Sequence, residues 1–297
     1  MKKLLWVLFA LSVIATSCKK TNQELIENNN TPLSYRTTAE GFELKPEYFD
    51  RIGQAHNEGL DYVLEHMVNV NPNSSLQDVN QSAVEFVFNV NPETISSLDN
   101  RDLLNTSEHL SKITDIILAR SIIAKREELI DKLTSKQLYF IDKLDTILSS
   151  TLFQFEEGIT QIRELEEHAL EILNDDEIVY FLCVTNLARH SLEYWFSEKG
   201  LLWLEIIESG SNEPYAKGID WRNVAVADVA AFIAGFPAGV NTGAIVGGLT
   251  AGIASAGITA GVGAVLGGIV GGTATGLASA ITASSYVLAA EILLSWW

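Results

Sequence analysis

The sequence predicts an all-α protein: a helical bundle with long amphipathic helices, plus a C-terminal Gly/Ala-rich apolar helical hairpin. Three observations predict it. Apolar residues recur every three or four positions from Tyr48, a heptad runs from Ile141 to Ala169, and the last quarter of the chain spaces its glycines by four. No strand-like alternation and no Gly-rich hairpin signal precedes residue 209.

The charge is divided along the chain. The 297 residues carry 38 Asp plus Glu against 20 Lys plus Arg, a net charge of −18. From Val224 to Trp297 only Asp228 and Glu291 are acidic, Lys and Arg are absent, and 14 of the 21 glycines are found there. So large a negative charge argues against nucleic acid as a partner, because phosphate binding needs clustered cations. An apolar fraction of 47% excludes a wholly disordered chain.

Lys2 and Lys3 precede the apolar run Leu4 to Leu11, and Ser12 to Ser17 lead to Cys18. The run is too short to span a bilayer and reads as a secretory signal. With Ser17 directly before Cys18, the segment resembles a bacterial lipoprotein precursor, although Ala15 stands where that family most often has Leu. The resemblance implies a signal peptide over 1–17, cleavage before Cys18 and lipidation (palmitate) of that cysteine. Several acyl chains, at about 0.8 kcal/mol per buried methylene, make a durable anchor. Lys19, where some bacteria place an Asp that retains lipoproteins at the inner membrane, implies the cell outer membrane. Cys183, in the apolar run Ile178 to Val184, then has no partner and is expected to be a buried free thiol.

Residues 18–42 are polar, with an Asn28-Asn29-Asn30 run, and read as a flexible tether. An acidic helical bundle is expected over 43–213. Pro46 suits a first helical turn, and Tyr48, Ile52, Ala55, Gly59, Val63, Met67 and Val70 mark one face of the helix it opens. Asn69-Val70-Asn71-Pro72 returns as Asn89-Val90-Asn91-Pro92, which reads as two helix ends, each soon followed by Ser-Ser-Leu as a new start. Ile141, Leu148, Phe155, Ile162 and Ala169, with Leu144, Leu165 and Ile172, predict one long helix over about 135–173, with Thr151 and Gly158 as weak points. Asn174-Asp175-Asp176-Glu177 caps the next helix, expected over about 178–207, whose Trp195, Phe196 and Trp203 make it the buried centre. Residues 209–214 form the clearest boundary.

Residues 214–297 form the glycine-rich part. Gly235, Gly239, Gly243 and Gly247 are four apart, as are Gly263, Gly267 and Gly271, and Gly268, Gly272 and Gly276. This spacing puts glycines on one helical face, where another backbone can pack closely. The surface is a glycine zipper and resembles the hydrophobic segments of bacteriocin-like peptides and the apolar hairpins of pore-forming toxins. The 62 uncharged residues between Asp228 and Glu291 suffice for two crossings of a bilayer at about 20 residues each. Trp296 and Trp297 suit a membrane interface. The opposing expectation is a helical hairpin buried in the acidic bundle.

No Gly-x-Ser-x-Gly, His-Glu-x-x-His, phosphate loop or dinucleotide fingerprint occurs, so no enzyme activity and no cofactor are expected. No metal site is expected either, with His56 and Asp61 the weak candidates. His56 and Asn57 are flanked by Ala55 and Gly59 of the core face and are expected to cap or hydrogen-bond a neighbouring helix, with a catalytic role the minority reading. Glu164, Glu166, Glu167, His168 and Glu171 read as a solvated face. The expected function is that of a membrane-anchored lipoprotein of structural or interaction type. Its glycine-zipper segment would meet a lipid bilayer or form a homo-oligomer; no protein partner is indicated. A bacteriocin-like or pore-forming effector is the alternative, and a helical metal-dependent enzyme a minor one.

Overall fold

The computed structural model describes residues 36–37, 43–67, 76–90, 133–209, 219–236 and 270–294, and isolated positions between 111 and 122. The chain divides into two units, Met1–Ser34 and Tyr35–Trp297, and every described residue lies in the second. The protein is all-α, with eight α-helices among the described residues. One small departure from expectation is a two-residue antiparallel ladder, β1 (Arg36–Thr37) on β2 (Glu43–Leu44), partly within the stretch read as tether.

Pro46 opens a 3-10 turn, Pro46–Phe49, where its missing N–H costs nothing. The turn runs into α1 (Asp50–Met67), whose Ile52, Ala55, Gly59 and Val63 are buried as their spacing predicts. α2 (Leu76–Val90) starts directly after Ser74-Ser75 and stops inside the second Asn-Val-Asn-Pro copy.

The long heptad helix is a correction: it is two helices, α3 (Ser135–Ser149) and α4 (Phe155–Ile172), folded against each other. The chain turns at Thr151 and Leu152, and Phe153 lays its ring over Gly158, where a Cβ would come within 2.3 Å of it. The heptad survives the break because both helices bury their apolar faces in one core, through Ile141, Leu144 and Leu148 on α3 and Ile162 and Ala169 on α4.

Asn174 caps α5 (Asp175–Trp195) in a reciprocal box: its Oδ1 accepts from the Glu177 N–H at 2.9 Å, and Glu177 Oε2 accepts from the Asn174 N–H at 3.0 Å. α5 is the centre of the bundle, touching α1, α3, α4, the next helix α6 (Glu198–Ser209) and α7 (Trp221–Gly235). The single helix expected over 178–207 is broken at Phe196 and Ser197. Ser197 Oγ accepts from the Lys199 N–H to start α6, and Gly200 lets the chain pass the Trp195 carbonyl, 2.3 Å from where a Cβ would stand. Phe196 is half exposed, stacked on Phe155, while Trp195 and Trp203 are buried.

The described ends of the glycine-rich part are covered by protein. α7 is buried from Val224 to Ile233, and α8 (Val270–Leu294) is buried from Gly276 to Ser285. α7 packs on α8 and α5, and α8 packs on α1 and α2. The buried hydroxyls of α8 turn inward to its own backbone: Thr282 donates to the Ala278 carbonyl, Ser284 to Ala280 and Ser285 to Ile281. This removes the cost of burying them in an apolar interface. Glycines allow the close approaches: a Cβ on Gly59 of α1 would stand 2.2 Å from Ile281 of α8. Among the described residues no helix is long and apolar enough to cross a membrane.

Candidate functional site

The most unusual chemistry of the described residues is a buried polar seam where α1, α5 and α7 meet. His56 on α1 and Asp228 on α7 are both fully buried, with Nε2 3.0 Å from Oδ1. That approach lies off the line of a good hydrogen bond, and neither atom has another hydrogen-bond partner. The second carboxylate oxygen of Asp228 is well served: Ser191 Oγ donates to it at 2.6 Å and Trp195 Nε1 at 2.8 Å, both from α5. His56 Nδ1 faces Asn57 Oδ1 at 3.0 Å, and Asn57 Nδ2 donates to the His190 carbonyl at 3.1 Å. The expected bond of the His56–Asn57 pair to a neighbouring helix is thus made to α5. Removing one partner from such a seam leaves buried polar atoms without their bonds, at a cost of about 1–3 kcal/mol for each.

A second cluster ties α1 to α4 and α5. Arg189 donates to Glu166 at 3.2 Å and to Asp50 at 3.3 Å, and the His190 ring lies 3.6 Å from both Asp50 and Glu193. Burial alone would raise the Asp50 carboxyl, but the His190 ring and the Arg189 guanidinium outweigh it and hold the group below its ordinary value. Burial dominates at Glu166 and pushes its carboxyl up despite Arg189. Burial would lower the Arg189 guanidinium, yet Glu166 and Asp50 more than compensate and raise it. Glu166 therefore corrects the expected solvated face: Glu164, His168 and Glu171 are exposed, whereas Glu166 is only 2% exposed and paired with Arg189.

The candidate metal residues part company. Asp61 accepts from Lys199 Nζ at 2.9 Å and from the Tyr194 hydroxyl at 3.0 Å, while His56 is turned to Asp228. Among the described residues no three His, Cys, Asp or Glu side chains gather as a metal site would need. Ser191 donates to Asp228 and not to His56, so the seam holds no serine activated by histidine. Cys183 is a buried free thiol, and burial pushes its pKa far up, which suppresses the thiolate. The seam joins side chains of α1, α5 and α7.

Of the proposed helix-packing glycines, Gly276 lies against Phe232 of α7, and Gly235 ends α7 half-buried. Gly271 and Gly272 belong to the first turn of α8. Cys18, Gly239, Gly243, Gly247, Gly263, Gly267, Gly268, Trp296 and Trp297 lie outside the described residues. The roles of Asp228, Ser191 and Trp195 are not visible in helical periodicity. The available signal was Asp228 itself, a single acid inside an apolar run, which a buried helix tolerates only with a partner. No known protein family, curated protein or solved structure matches the chain.

Proposed function

We propose that the protein is a bacterial lipoprotein of structural or interaction type, non-enzymatic and anchored at the outer membrane through Cys18. Its helical bundle carries the glycine-rich segment between α7 and α8 and presents it to a bilayer or to a second copy of the chain. The observation that supports this reading is the seating of α7 and α8. They pack on each other and on α1, α2 and α5, while residues 237–269 between them hold no charge and space their glycines by four. An acidic bundle repels anionic headgroups, so association would come from acyl chains and the uncharged segment. The test separates the two attachments. Full chain carrying Cys18→Ala is floated with liposomes and sized by light scattering, beside a version in which residues 237–269 are an equally long Gly-Ser linker. Flotation or self-association is expected for the first and lost in the second; a first protein that stays monomeric in the soluble fraction overturns the proposal. Palmitate labelling that persists in Cys18→Ala would overturn the anchor.

A second reading, a membrane-permeabilising effector, is favoured by one feature. Gly276 near the start of α8 lies against Phe232 near the end of α7, so the two helix ends bounding residues 237–269 sit side by side. Dye release from liposomes that depends on residues 237–269 supports the effector, and binding without leakage rejects it.

A further inference from the structure

Where α3 ends, α4 begins and α5 ends, the bundle shows apolar side chains to water. Leu152, in the turn between α3 and α4, is 83% exposed, and Phe196, directly after α5, is 40% exposed. The Phe196 ring stacks on Phe155 at 5.3 Å and lies 6.1 Å from the ring of Phe153. Single exposed apolar residues are ordinary on a protein surface, whereas rings in contact beside an exposed leucine make one continuous shelf of the kind that marks an interaction site. The turn that presents it is fixed. The Ser150 carbonyl accepts from the Phe153 N–H at 3.1 Å and from Arg222 of α7, and Phe153 itself is laid over Gly158. A surface held in place before binding loses little entropy when a partner arrives.

Carboxylates border the shelf. Glu156 and Glu157 follow Phe155 in the first turn of α4, and Glu193 and Glu198 stand three positions before Phe196 and two after it; all four are exposed. Two neighbouring cations are already engaged, Lys199 with Asp61 and Arg222 with Asp220.

We propose that this shelf docks a cationic amphipathic segment of a partner protein, with large apolar side chains against Leu152, Phe153, Phe155 and Phe196 and with Lys or Arg over the acidic rim. Charge selects this occupant. A second copy docked face to face would bring the same four carboxylates against the same rim, and like charges set across an interface weaken it. An anionic bilayer is repelled for the same reason. Placement supports the choice as well. α7 ends at Phe236, whose ring meets Tyr180 near the start of α5, and residues 237–269 follow from there. Tyr180 and Phe196 are 16 positions apart, about 24 Å along a helix. The shelf therefore lies at the other end of α5 from the point where the glycine-rich segment departs, and a partner seated there does not compete with that segment. The proposal stands without any reading of what residues 237–269 do.

The probe is a fluorescent amphipathic peptide of repeated Leu-Lys-Lys-Leu, with a Leu-Glu-Glu-Leu peptide as its control. Each is titrated with the full chain carrying Cys18→Ala and followed by anisotropy. The lysine peptide is expected to bind, and Leu152→Ser with Phe196→Ser, which leaves the charge unchanged, is expected to weaken it by about tenfold or more. Ile172→Ser, at an exposed apolar residue on the opposite end of α4, is expected to leave it unaltered. Leu152→Ser alone changes a side chain that is almost wholly in water, so it folds even if the double variant does not, and it is expected to weaken binding several-fold. Glu156→Gln with Glu157→Gln is expected to flatten the salt dependence. Equal affinity for the parent and Leu152→Ser, equal binding of the two peptides, or no binding of either overturns the proposal. So does a parent that self-associates, or floats with liposomes, only while Leu152 and Phe196 are intact, since the occupant is then a second copy or a bilayer. Replacing residues 237–269 by the Gly-Ser linker is expected to leave peptide binding unchanged, so this proposal and the proposed function fail separately.

Discussion

Gly276→Leu places a side chain where α8 lies against α7. A Cβ there would stand 2.8 Å from Phe232 Cδ2, 3.0 Å from Cε2 and 3.1 Å from the Phe232 carbonyl oxygen. The ring has little room to yield, being fully buried and 5.5 Å from the Phe236 ring, which in turn meets Tyr180 at 5.1 Å. Two terms oppose each other. Leucine gains about 0.8 kcal/mol over glycine in helix propensity, while forcing its extra carbons into a packed core costs up to about 3 kcal/mol. The expected net loss is about 2 kcal/mol, a fall in Tm of roughly 4–8 °C for a chain of this size. The assay is thermal unfolding of the Cys18→Ala protein in water, followed by circular dichroism. A free helix, or one awaiting lipid, would gain from leucine, so a Tm at or above that of the parent would refute the packing of α7 on α8.

Three further outcomes follow from the same geometry. Gly53→Ala is expected to destabilise by about 1–3 kcal/mol in urea, against the gain of about 1 kcal/mol that an exposed helix would show, because its Cβ would fall 2.4 Å from the backbone-fixed Cβ of His190. Asp50→Asn should lower stability at pH 7. The folded carboxyl is held below its ordinary value of 3.8, so its contribution is complete above that value and is lost as pH falls through the lower, folded one; the gap in urea midpoint should close in acid. In the Cys18→Ala protein, Cys183 should be inert to thiol reagents under native conditions and react at the rate of unfolding, since it is buried and its thiolate suppressed; fast native labelling would contradict the core position of α5.

Local signals carried much of this fold. Helix periodicity placed the buried face of α1, and the Asn174 capping box and Pro46 marked starts that side-chain chemistry alone decides. The break between α3 and α4 was hidden because a turn that returns a helix to the same core preserves the apolar phase on either side of it. The ring of Phe153 over Gly158 depends on three-dimensional contact, and only the glycine hinted at it. Glu166 looked like its exposed neighbours because its partner, Arg189, is 23 positions away on another helix. The polar seam was half legible. His56 and Asn57 stood out as polar residues on a core face, and Asp228 as an acid in an apolar run, but their pairing across 172 positions of chain follows only from the docking of α7. Gly276 lies against Phe232, and nothing in a spacing of four says whether the surface beside such a glycine is protein or lipid.

The seating of α8 inside the acidic bundle is the central structural claim, and a crosslink tests it most directly. Thr282 Oγ1 of α8 lies 3.3 Å from Asn80 Oδ1 of α2, both residues buried. With Cys18→Ala and Cys183→Ser as background, Asn80→Cys and Thr282→Cys together should form an intrachain disulfide, or accept a short bis-maleimide, in water and without lipid. Two cysteines that fail to crosslink while reacting freely with thiol reagents would show that α8 does not dock on α2, and the account would be wrong.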